Sequence, residues 1–154
     1  MNIDIRRAGP VDGPIVGELA YLLVREIAPE SADKISLDSY RATATHLLDR
    51  DAGFWALLSY GQGQGPFGLV TLNECAAIYA GGRFGEIPEL YVAPDYRSKG
   101  VAAALVNAAV DFAKTQGWHR LEVGAPDQPR WQRTMNFYLK QGFTEVGPRL
   151  RYLL

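Results

Sequence analysis

One stretch, residues 90–105, constrains the fold more than any other part of this sequence. It opens with the β-prone run Leu90-Tyr91-Val92 and then reaches Pro94, whose ring fixes φ and removes a backbone donor. A polar turn follows. From Val101 onward, apolar residues recur at the spacing of one helix face. The sequence therefore predicts a strand, a tight turn and a helix in immediate succession.

The turn before this helix has the features of an anion-binding site. The first turn of a helix leaves its N–H groups without partners, and here it is preceded by Arg97-Ser98-Lys99-Gly100. These N–H groups and the helix dipole attract negative charge, and Gly100 has no Cβ to block a close approach. Arg97 and Lys99 add positive charge. We interpret the turn as a site for a diphosphate group.

Two other phosphate-binding patterns do not fit this turn. The Walker pattern requires Gly-Lys-Ser/Thr at its end, whereas Gly100 is followed by Val101. The dinucleotide-binding fingerprint requires three spaced glycines, and this turn contains only Gly100. Both loops are therefore excluded here.

Two motifs carry a resemblance to a known family. The segment Arg97-Ser98-Lys99-Gly100-Val101-Ala102 resembles the Arg/Gln-x-x-Gly-x-Gly/Ala signature of the GNAT superfamily of N-acetyltransferases. Farther along, Phe137-Tyr138-Leu139-Lys140-Gln141-Gly142-Phe143 is similar to the family's Phe-Tyr-x-x-x-Gly-Phe motif. With the strand and helix around the turn, the resemblance covers nearly the whole chain. It implies an acetyl-coenzyme A-dependent enzyme with the GNAT fold.

The resemblance also implies where acetyl-coenzyme A, the co-substrate, binds. In the family, the pantetheine arm adds like a strand to the backbone at Leu90-Tyr91-Val92, and the pyrophosphate lies on the N–H groups of the turn. Family members often have a coenzyme-contacting asparagine where this chain has Trp131, which could pack in the core or stack near the adenine or the substrate. Arg130 and Arg133 could meet the 3′-phosphate, although solvated helix charges are the simpler interpretation. The implied coenzyme-binding residues are Leu90, Tyr91, Val92, Arg97, Ser98, Lys99, Gly100, Val101, Ala102, Ala103 and Asn136.

A general base is needed because an acceptor amine arrives protonated. An alkyl ammonium with a pKa near 10.4 is neutral in only about one molecule in 10³ at pH 7. A carboxylate can take that proton, directly or through water, and the central strand offers Glu86 and Glu89. Strand alternation puts the two on opposite faces unless a bulge intervenes. We favour Glu89, which lies nearer Leu90-Tyr91-Val92, and keep Glu86 as the alternative; a solvated or ion-paired carboxylate explains either one equally well.

Tyr138 is the candidate general acid. The resemblance places here the family's tyrosine that protonates the thiolate of coenzyme A. The thiolate of a thiol with a pKa near 8.5 is a good leaving group, so only modest assistance is required from a phenol with a pKa near 10. The alternative is a core tyrosine that packs its ring and hydrogen-bonds its hydroxyl.

Composition and charge narrow the function class. Of 154 residues, 47% are hydrophobic and 21% are charged, which is typical of a globular domain, and we predict a single domain over residues 1–154. The net charge of -1 does not favour nucleic acid or anionic membranes as partners, and no apolar run reaches the ~20 residues of a membrane helix. The single cysteine, Cys75, excludes an internal disulfide and suits the cytoplasm. His46 and His119 lie far apart in sequence, so no metal site is predicted. A homodimer is compatible with this sequence.

Periodicity and turn residues predict the order β-α-α-β-β-β-α-β-α-β-β, which is that of the GNAT fold. The fold class is α/β (α+β), with a mixed sheet of about seven strands and about four helices. Asp12 is expected to cap the first helix, and the second begins at Ser36 or Ser39 and ends near Asp51-Ala52-Gly53. The later helices are predicted over 99–115 and over 129–140, the last capped by Asp127 and stopped by Gly142. The predicted strands lie around 3–5, 54–60, 67–77, 83–92, 121–123, 143–146 and 150–154.

Two functions from different classes fit these observations. One is an N-acetyltransferase that moves an acetyl group to a small-molecule or peptide amine by direct attack in a ternary complex. The rival is a non-catalytic acyl-CoA-binding sensor, since one fold serves many functions. A sensor has no need of Tyr138 together with a strand glutamate, and both are present. Acidic residues such as Glu26 in the first helix suit a cationic amine, but solvated surface charges explain them equally well.

Overall fold

A mixed β-sheet lies at the centre of the structure, a computed structural model that describes residues 1–49 and 53–154. Its strands within these residues are β1 (Asp4–Arg7), β2 (Phe54–Gly61), β3 (Gln64–Ala77), β4 (Gly82–Ile87), β5 (Leu90–Val92) and β6 (Leu121–Val123). The strand order is β1-β2-β3-β4-β6, and β5 pairs with β3. Only β4 and β6 run parallel to each other; the other paired strands are antiparallel.

Helices cover both faces of this sheet. The α-helices of the described residues are α1 (Gly13–Ile27), α2 (Leu37–Asp49), α3 (Val101–Thr115) and α4 (Gln132–Lys140). Short 3-10 segments precede α1, α2 and α3, at Pro10–Asp12, Pro29–Lys34 and Pro94–Tyr96. This arrangement confirms the predicted fold class. In the described parts of the chain, no helix has the length and apolar character needed to cross a membrane.

The core has two parts because β3 is buried on both faces. Leu69 packs with Leu19 of α1 on one face, and its neighbour Val70 packs with Leu105 of α3 on the other. Leu69, Val70 and Leu105 are all 0% exposed. Each such side chain contributes about 1.5–3 kcal/mol by leaving water. The α1 and α2 backbones also touch closely, since a Cβ at Gly17 would lie 2.5 Å from the carbonyl oxygen of Tyr40.

A β-bulge divides the predicted strand 83–92 into β4 and β5. Three steps along β3, from Asn73 to Val70, oppose four steps along the neighbouring chain, from Glu86 to Leu90. One residue is therefore extra on the β4–β5 side. The interruption contains Pro88, which has no N–H for the ladder.

The bulge puts Glu86 and Glu89 on the same face of the sheet. Glu86 lies opposite Asn73, and the Glu89 carbonyl oxygen accepts a hydrogen bond from the Thr71 N–H. Asn73 and Thr71 are two residues apart, so their side chains share one face, which is the face covered by α1 and α2. A regular strand would have placed Glu86 and Glu89 on opposite faces; because of the bulge, that expectation does not hold here.

The two strands predicted after α4, at 143–146 and 150–154, are not formed. Phe143 packs its ring against Tyr138, with centroids 5.6 Å apart, but Leu150 beyond it is 95% exposed. The alternating segment therefore pairs with no other strand here. The neighbouring strand β6 is only three residues long, and Pro148 lacks the backbone N–H that strand pairing requires. The sheet accordingly has six described strands where about seven were predicted.

Some predicted helix ends are shifted, and others are confirmed. α3 begins at Val101 instead of residue 99, because Gly100 has a left-handed φ of 82°. α4 begins at Gln132, after Trp131 instead of Asp127; the Asp127 carbonyl oxygen accepts the Trp131 N–H in a preceding turn. Gly142, with φ of 99°, follows the end of α4 as predicted.

The predicted starts of α1 and α2 fall at the observed positions, with one change in capping. Asp12 precedes α1, but its carboxylate accepts the Gly9 N–H at 2.8 Å and does not cap the helix. The Ser36 hydroxyl accepts the Ser39 N–H at 3.3 Å and so caps α2. The predicted end of α2 near Asp51-Ala52 falls outside the described residues.

Candidate active site

A gap opens between β5 and β6 at the edge of the bulge. β4 pairs with β6 from Gly85 to Ile87, whereas β5 pairs only with β3 among the described strands. The Glu89 carbonyl and the Ala93 N–H bond to β3. By alternation, the N–H and carbonyl groups of Leu90 and Val92 face the open side. The Val92 carbonyl already accepts the Arg97 Nε–H at 2.8 Å, so the edge of β5 offers the Leu90 N–H, the Leu90 carbonyl and the Val92 N–H to an extended molecule that carries amide groups.

The loop after β5 holds two left-handed residues. Ser98 has φ of 60°, and Gly100 has φ of 82°. A left-handed residue other than glycine costs on the order of 1–3 kcal/mol, and such strain clusters at ligand-binding loops. A Cβ built on Gly100 meets no atom within 4 Å, so it would project into open space at the N-terminus of α3.

This open space suits the pyrophosphate that the sequence predicts. Gly100 is the N-cap residue and has no side chain to accept the first N–H groups of α3, which belong to Val101, Ala102 and Ala103. The predicted residues Ser98 and Lys99 are exposed in the same loop. The donors, the positive end of the helix and the free volume all fit an anion.

The Arg97 side chain, which the sequence predicts to contact the coenzyme, is already hydrogen-bonded to other residues of the protein. Its guanidinium forms two hydrogen bonds with the carboxylate of Glu26 in α1, at 2.9 and 2.6 Å. Its Nε donates to the Val92 carbonyl at 2.8 Å. Arg97 therefore joins the loop, the end of β5 and α1.

Glu89 lies in a largely buried position. The Thr71 hydroxyl donates to its carboxylate and also accepts the Glu89 backbone N–H. Burial raises the pKa of the Glu89 carboxyl, and the Thr71 hydrogen bond offsets part of that shift. The charge of Glu89 also reaches Tyr40 in α2, whose pKa is raised first by burial and then by this charge. A carboxylate with a raised pKa is a stronger base than a solvated one.

Glu86 has a different environment on the same face. Arg149 donates to its carboxylate at 3.1 Å, and Glu122 lies beside it in the parallel pair of β4 and β6. Glu86 is therefore ion-paired, whereas Glu89 is held by a neutral hydroxyl. The two candidate bases therefore lie on the same face of the sheet and differ in their hydrogen-bond partners.

Tyr138 is the one buried residue of α4, at 6% exposure. Burial raises its pKa to about 12. The phenol is thus protonated throughout the neutral range, as a proton donor must be. The ring packs against Phe143, so the motif residues that are separated in sequence come together.

The remaining predicted residues lie at the surface or in the core. Asn136 is exposed, and its side-chain oxygen accepts the Gln132 amide at 3.0 Å. Trp131 is half-buried, with the Arg130 guanidinium 5.4 Å from its ring. Neither observation joins these residues to the loop after β5.

Four site residues were missed or left as surface charges in the sequence analysis. Thr71 and Tyr40 surround Glu89, Glu26 pairs with Arg97, and Arg133 of α4 donates to the Ser98 hydroxyl at 3.0 Å. Their contacts cross between elements that are distant in the chain, so no local motif marks them. The one available signal was a threonine among apolar residues in β3, a strand that reads as buried.

Comparison with known proteins places this chain within one family. The model of the acetyltransferase (GNAT) family matches residues 19–143. The chain is 30% identical over 105 residues to N-acetyltransferase 8 of Rattus norvegicus, covering 68% of this chain and 45% of the relative. It thus spans less than half the length of that relative.

Solved structures with the same fold have diverse names. A ribosomal-protein-alanine N-acetyltransferase from Brucella melitensis biovar Abortus 2308 has a TM-score of 0.70 at 24% identity, with 100% of this chain and 99% of that chain covered. An aminoglycoside acetyltransferase from an uncultured soil metagenomic sample has a TM-score of 0.78 at 20% identity, with 100% and 99% covered. At these identities the likeness shows the fold alone. Because the family model spans most of the sequence, the chain belongs to the acetyltransferase (GNAT) family.

The buried carboxyl of Glu89 should lower stability at neutral pH. Its folded-state pKa is raised, so the stability that its protonated form confers is present at low pH and is lost as pH rises through the folded-state pKa. Glu89→Gln removes the charge and keeps a hydrogen-bonding amide beside Thr71. We expect this variant to have a higher Tm than the wild type at pH 8 and an equal Tm at pH 4, measured by calorimetry.

Glu86→Gln is the matched control, since it removes an ion-paired glutamate from the same face. It should not raise the Tm at pH 8. An increase for Glu89→Gln that is the same at pH 4 and at pH 8 would contradict the buried-charge explanation.

Proposed function

We propose that the protein is an acetyl-coenzyme A-dependent N-acetyltransferase that acts on a primary amine by direct attack in a ternary complex. The observation that carries this proposal is the buried Glu89 carboxylate, held by Thr71 directly before the open edge of β5. Acetyl-coenzyme A supplies the thioester carbon, where a C–N bond forms and the C–S bond breaks. In this proposal, a single domain over residues 1–154 carries out the reaction.

Glu89 serves as the base in the proposed mechanism. An ammonium that enters beside β5 gives one proton to the Glu89 carboxylate, directly or through a water molecule. After the neutral amine attacks, its nitrogen loses a second proton to solvent, and Glu89 returns the first to solvent. The raised pKa of Glu89 supports this role because it reduces the difference between the pKa of the carboxyl and that of the amine. The Thr71 hydroxyl keeps the carboxylate in place.

Tyr138 serves as the acid. Its hydroxyl gives a proton to the thiolate sulfur as the C–S bond breaks, and the phenolate then regains a proton from solvent. A pKa of about 12 makes Tyr138 a weak acid that is always loaded with its proton in the neutral range. The thiol is a good leaving group, so a modest donor is sufficient.

The proposed coenzyme site combines backbone donors with free volume. Pantetheine pairs with the open edge of β5, and the pyrophosphate lies on the loop and on the first turn of α3. The residues proposed to form the coenzyme site are Leu90, Tyr91, Val92, Arg97, Ser98, Lys99, Gly100, Val101, Ala102, Ala103 and Asn136, with Arg97 positioning the loop. The acceptor is left at the level of a primary amine, since the two structural neighbours above carry names with different acceptors.

Release of coenzyme A tests the proposal against the sensor alternative. The purified protein is mixed with acetyl-coenzyme A and a panel of amines, and thiol release is followed over time. An enzyme gives amine-dependent release that exceeds the rate of slow hydrolysis. Tight coenzyme binding with no release for polyamine, aminoglycoside, amino-acid and peptide acceptors would favour the sensor.

Gly100→Asn should weaken the binding of coenzyme A at least tenfold, measured by calorimetry. Asparagine tolerates a left-handed φ, so the turn should survive, while its side chain fills the space proposed for the pyrophosphate. Gly117→Asn is the matched control: Gly117 has φ of 75° and open space at its Cβ, but it follows the other end of α3. Equal affinities for both variants and the wild type would contradict the assignment.

Tyr138→Phe should lower kcat about 10²–10⁴-fold and leave the affinity for acetyl-coenzyme A nearly unchanged, because the proton is needed only as the thiolate leaves. Since the pKa of Tyr138 is about 12, the wild-type kcat should not fall between pH 8 and pH 10 through ionisation of this group. Tyr60→Phe, in β2, is the control and should retain full activity. Wild-type kcat in Tyr138→Phe, where chemistry limits the rate, would return Tyr138 to a packing role.

Glu89→Gln should lower kcat/KM about 10²–10⁴-fold at pH 7. The defect should shrink as pH rises toward the pKa of the amine, because more acceptor then arrives neutral. Glu86→Gln keeps the buried carboxylate and should show no such pH-dependent rescue. If Glu86→Gln shows the rescued defect instead, the base is Glu86; if neither variant does, Glu89 is not the base.

A further inference from the structure

Three cations surround the loop after β5, and their partners differ. Arg97 is bound by the Glu26 carboxylate through two hydrogen bonds and by the Val92 carbonyl through a third. Lys99 leans over Tyr96, with its Nζ 5.5 Å from the ring centroid. The remaining cation enters from α4 and has a neutral partner.

Arg133 is that remaining cation. Its guanidinium donates to the Ser98 hydroxyl at 3.0 Å, across 35 residues of sequence. None of the ion pairs formed by residues 1–49 and 53–154 includes it. A guanidinium fork suits a phosphate oxygen, and charge-assisted hydrogen bonds to phosphate are stronger than those to a hydroxyl.

Arg97 adds little net charge to the loop, in contrast. Its positive charge is matched by Glu26, and a phosphate that recruited it would leave the carboxylate without its partner. All three nitrogen atoms of the guanidinium already donate, to Glu26 and to Val92. These bonds hold the loop against α1 and against the end of β5.

We propose that the two arginines divide their roles: Arg133 binds the pyrophosphate of the coenzyme, and Arg97 is a positioning residue that holds the loop through Glu26. This inference rests on the proposed function. Arg133 exchanges the Ser98 hydroxyl for a phosphate oxygen when the coenzyme binds. In the bound state, α1 thus holds the loop and α4 supplies the cation for the pyrophosphate.

Binding of three ligands tests the role of Arg133. Coenzyme A, dephospho-coenzyme A (which keeps the pyrophosphate and lacks the 3′-phosphate) and pantetheine are titrated by calorimetry. Arg133→Gln should raise the Kd of the first two equally, by roughly 10- to 100-fold, and should not change the Kd of pantetheine. Arg133→Lys keeps the positive charge without the guanidinium fork, so its Kd for these two ligands should lie between those of the wild type and Arg133→Gln. Lys140→Gln, in the last turn of α4, is the control and should change none of them.

Two results would overturn this role. If Arg133→Gln weakens coenzyme A but not dephospho-coenzyme A, Arg133 contacts the 3′-phosphate. If it changes neither, Arg133 is a solvated surface charge. A wild-type protein that binds none of the three ligands would refute the proposed function itself, which a defect confined to the variants does not.

A double-mutant cycle tests the positioning role of Arg97. If Arg97 acts through Glu26, then Arg97→Gln, Glu26→Gln and the double variant should raise the Kd of coenzyme A by similar factors, with no further loss in the double variant. A direct phosphate contact predicts the opposite for Glu26→Gln, because it frees Arg97 and should preserve or tighten binding. That outcome, in variants whose Tm shows that they are folded, would overturn the assignment.

Discussion

The one-residue bulge between β4 and β5 is the feature on which the candidate site depends. The chain leaves the regular ladder with β3 at Pro88 and rejoins it at Glu89, whose carbonyl oxygen accepts the Thr71 N–H. This extra residue turns Glu89 onto the face covered by α1 and α2, and it accompanies the separation of β5 from β6. A regular strand would carry Glu89 to the α3 face. One backbone irregularity thus produces both an open strand edge and a buried carboxylate beside it.

The same position shows a conflict between stability and chemistry. A carboxylate removed from water favours its protonated form, so ionised Glu89 costs folding free energy that Thr71 offsets only in part. Glu86 avoids that cost through Arg149. The two glutamates on this face therefore differ in their partners: Glu86 has a cation, and Glu89 has a neutral hydroxyl.

Side chains from distant elements hold the loop that begins α3. Glu26 reaches it from α1 across 71 residues of sequence, and Arg133 reaches it from α4 across 35. α1 also packs on the face of the sheet that carries Glu89, through Leu19 and its neighbours. A change at the loop is therefore coupled to α1 through the Arg97–Glu26 contact. This contact physically joins the proposed coenzyme side of the molecule to the face that carries the proposed base.

The sequence by itself determined the features that depend on neighbouring residues. Pro94, Gly100 and the apolar spacing after Val101 predict the strand, turn and helix, because φ restrictions and helix periodicity act over a few residues. Only the tertiary structure decided which glutamate binds Thr71 and what Arg97 binds, since the partners lie 18 and 71 residues away. It also decided that residues 143–154 form no strand, because an alternating pattern makes a strand only where another strand offers its backbone groups.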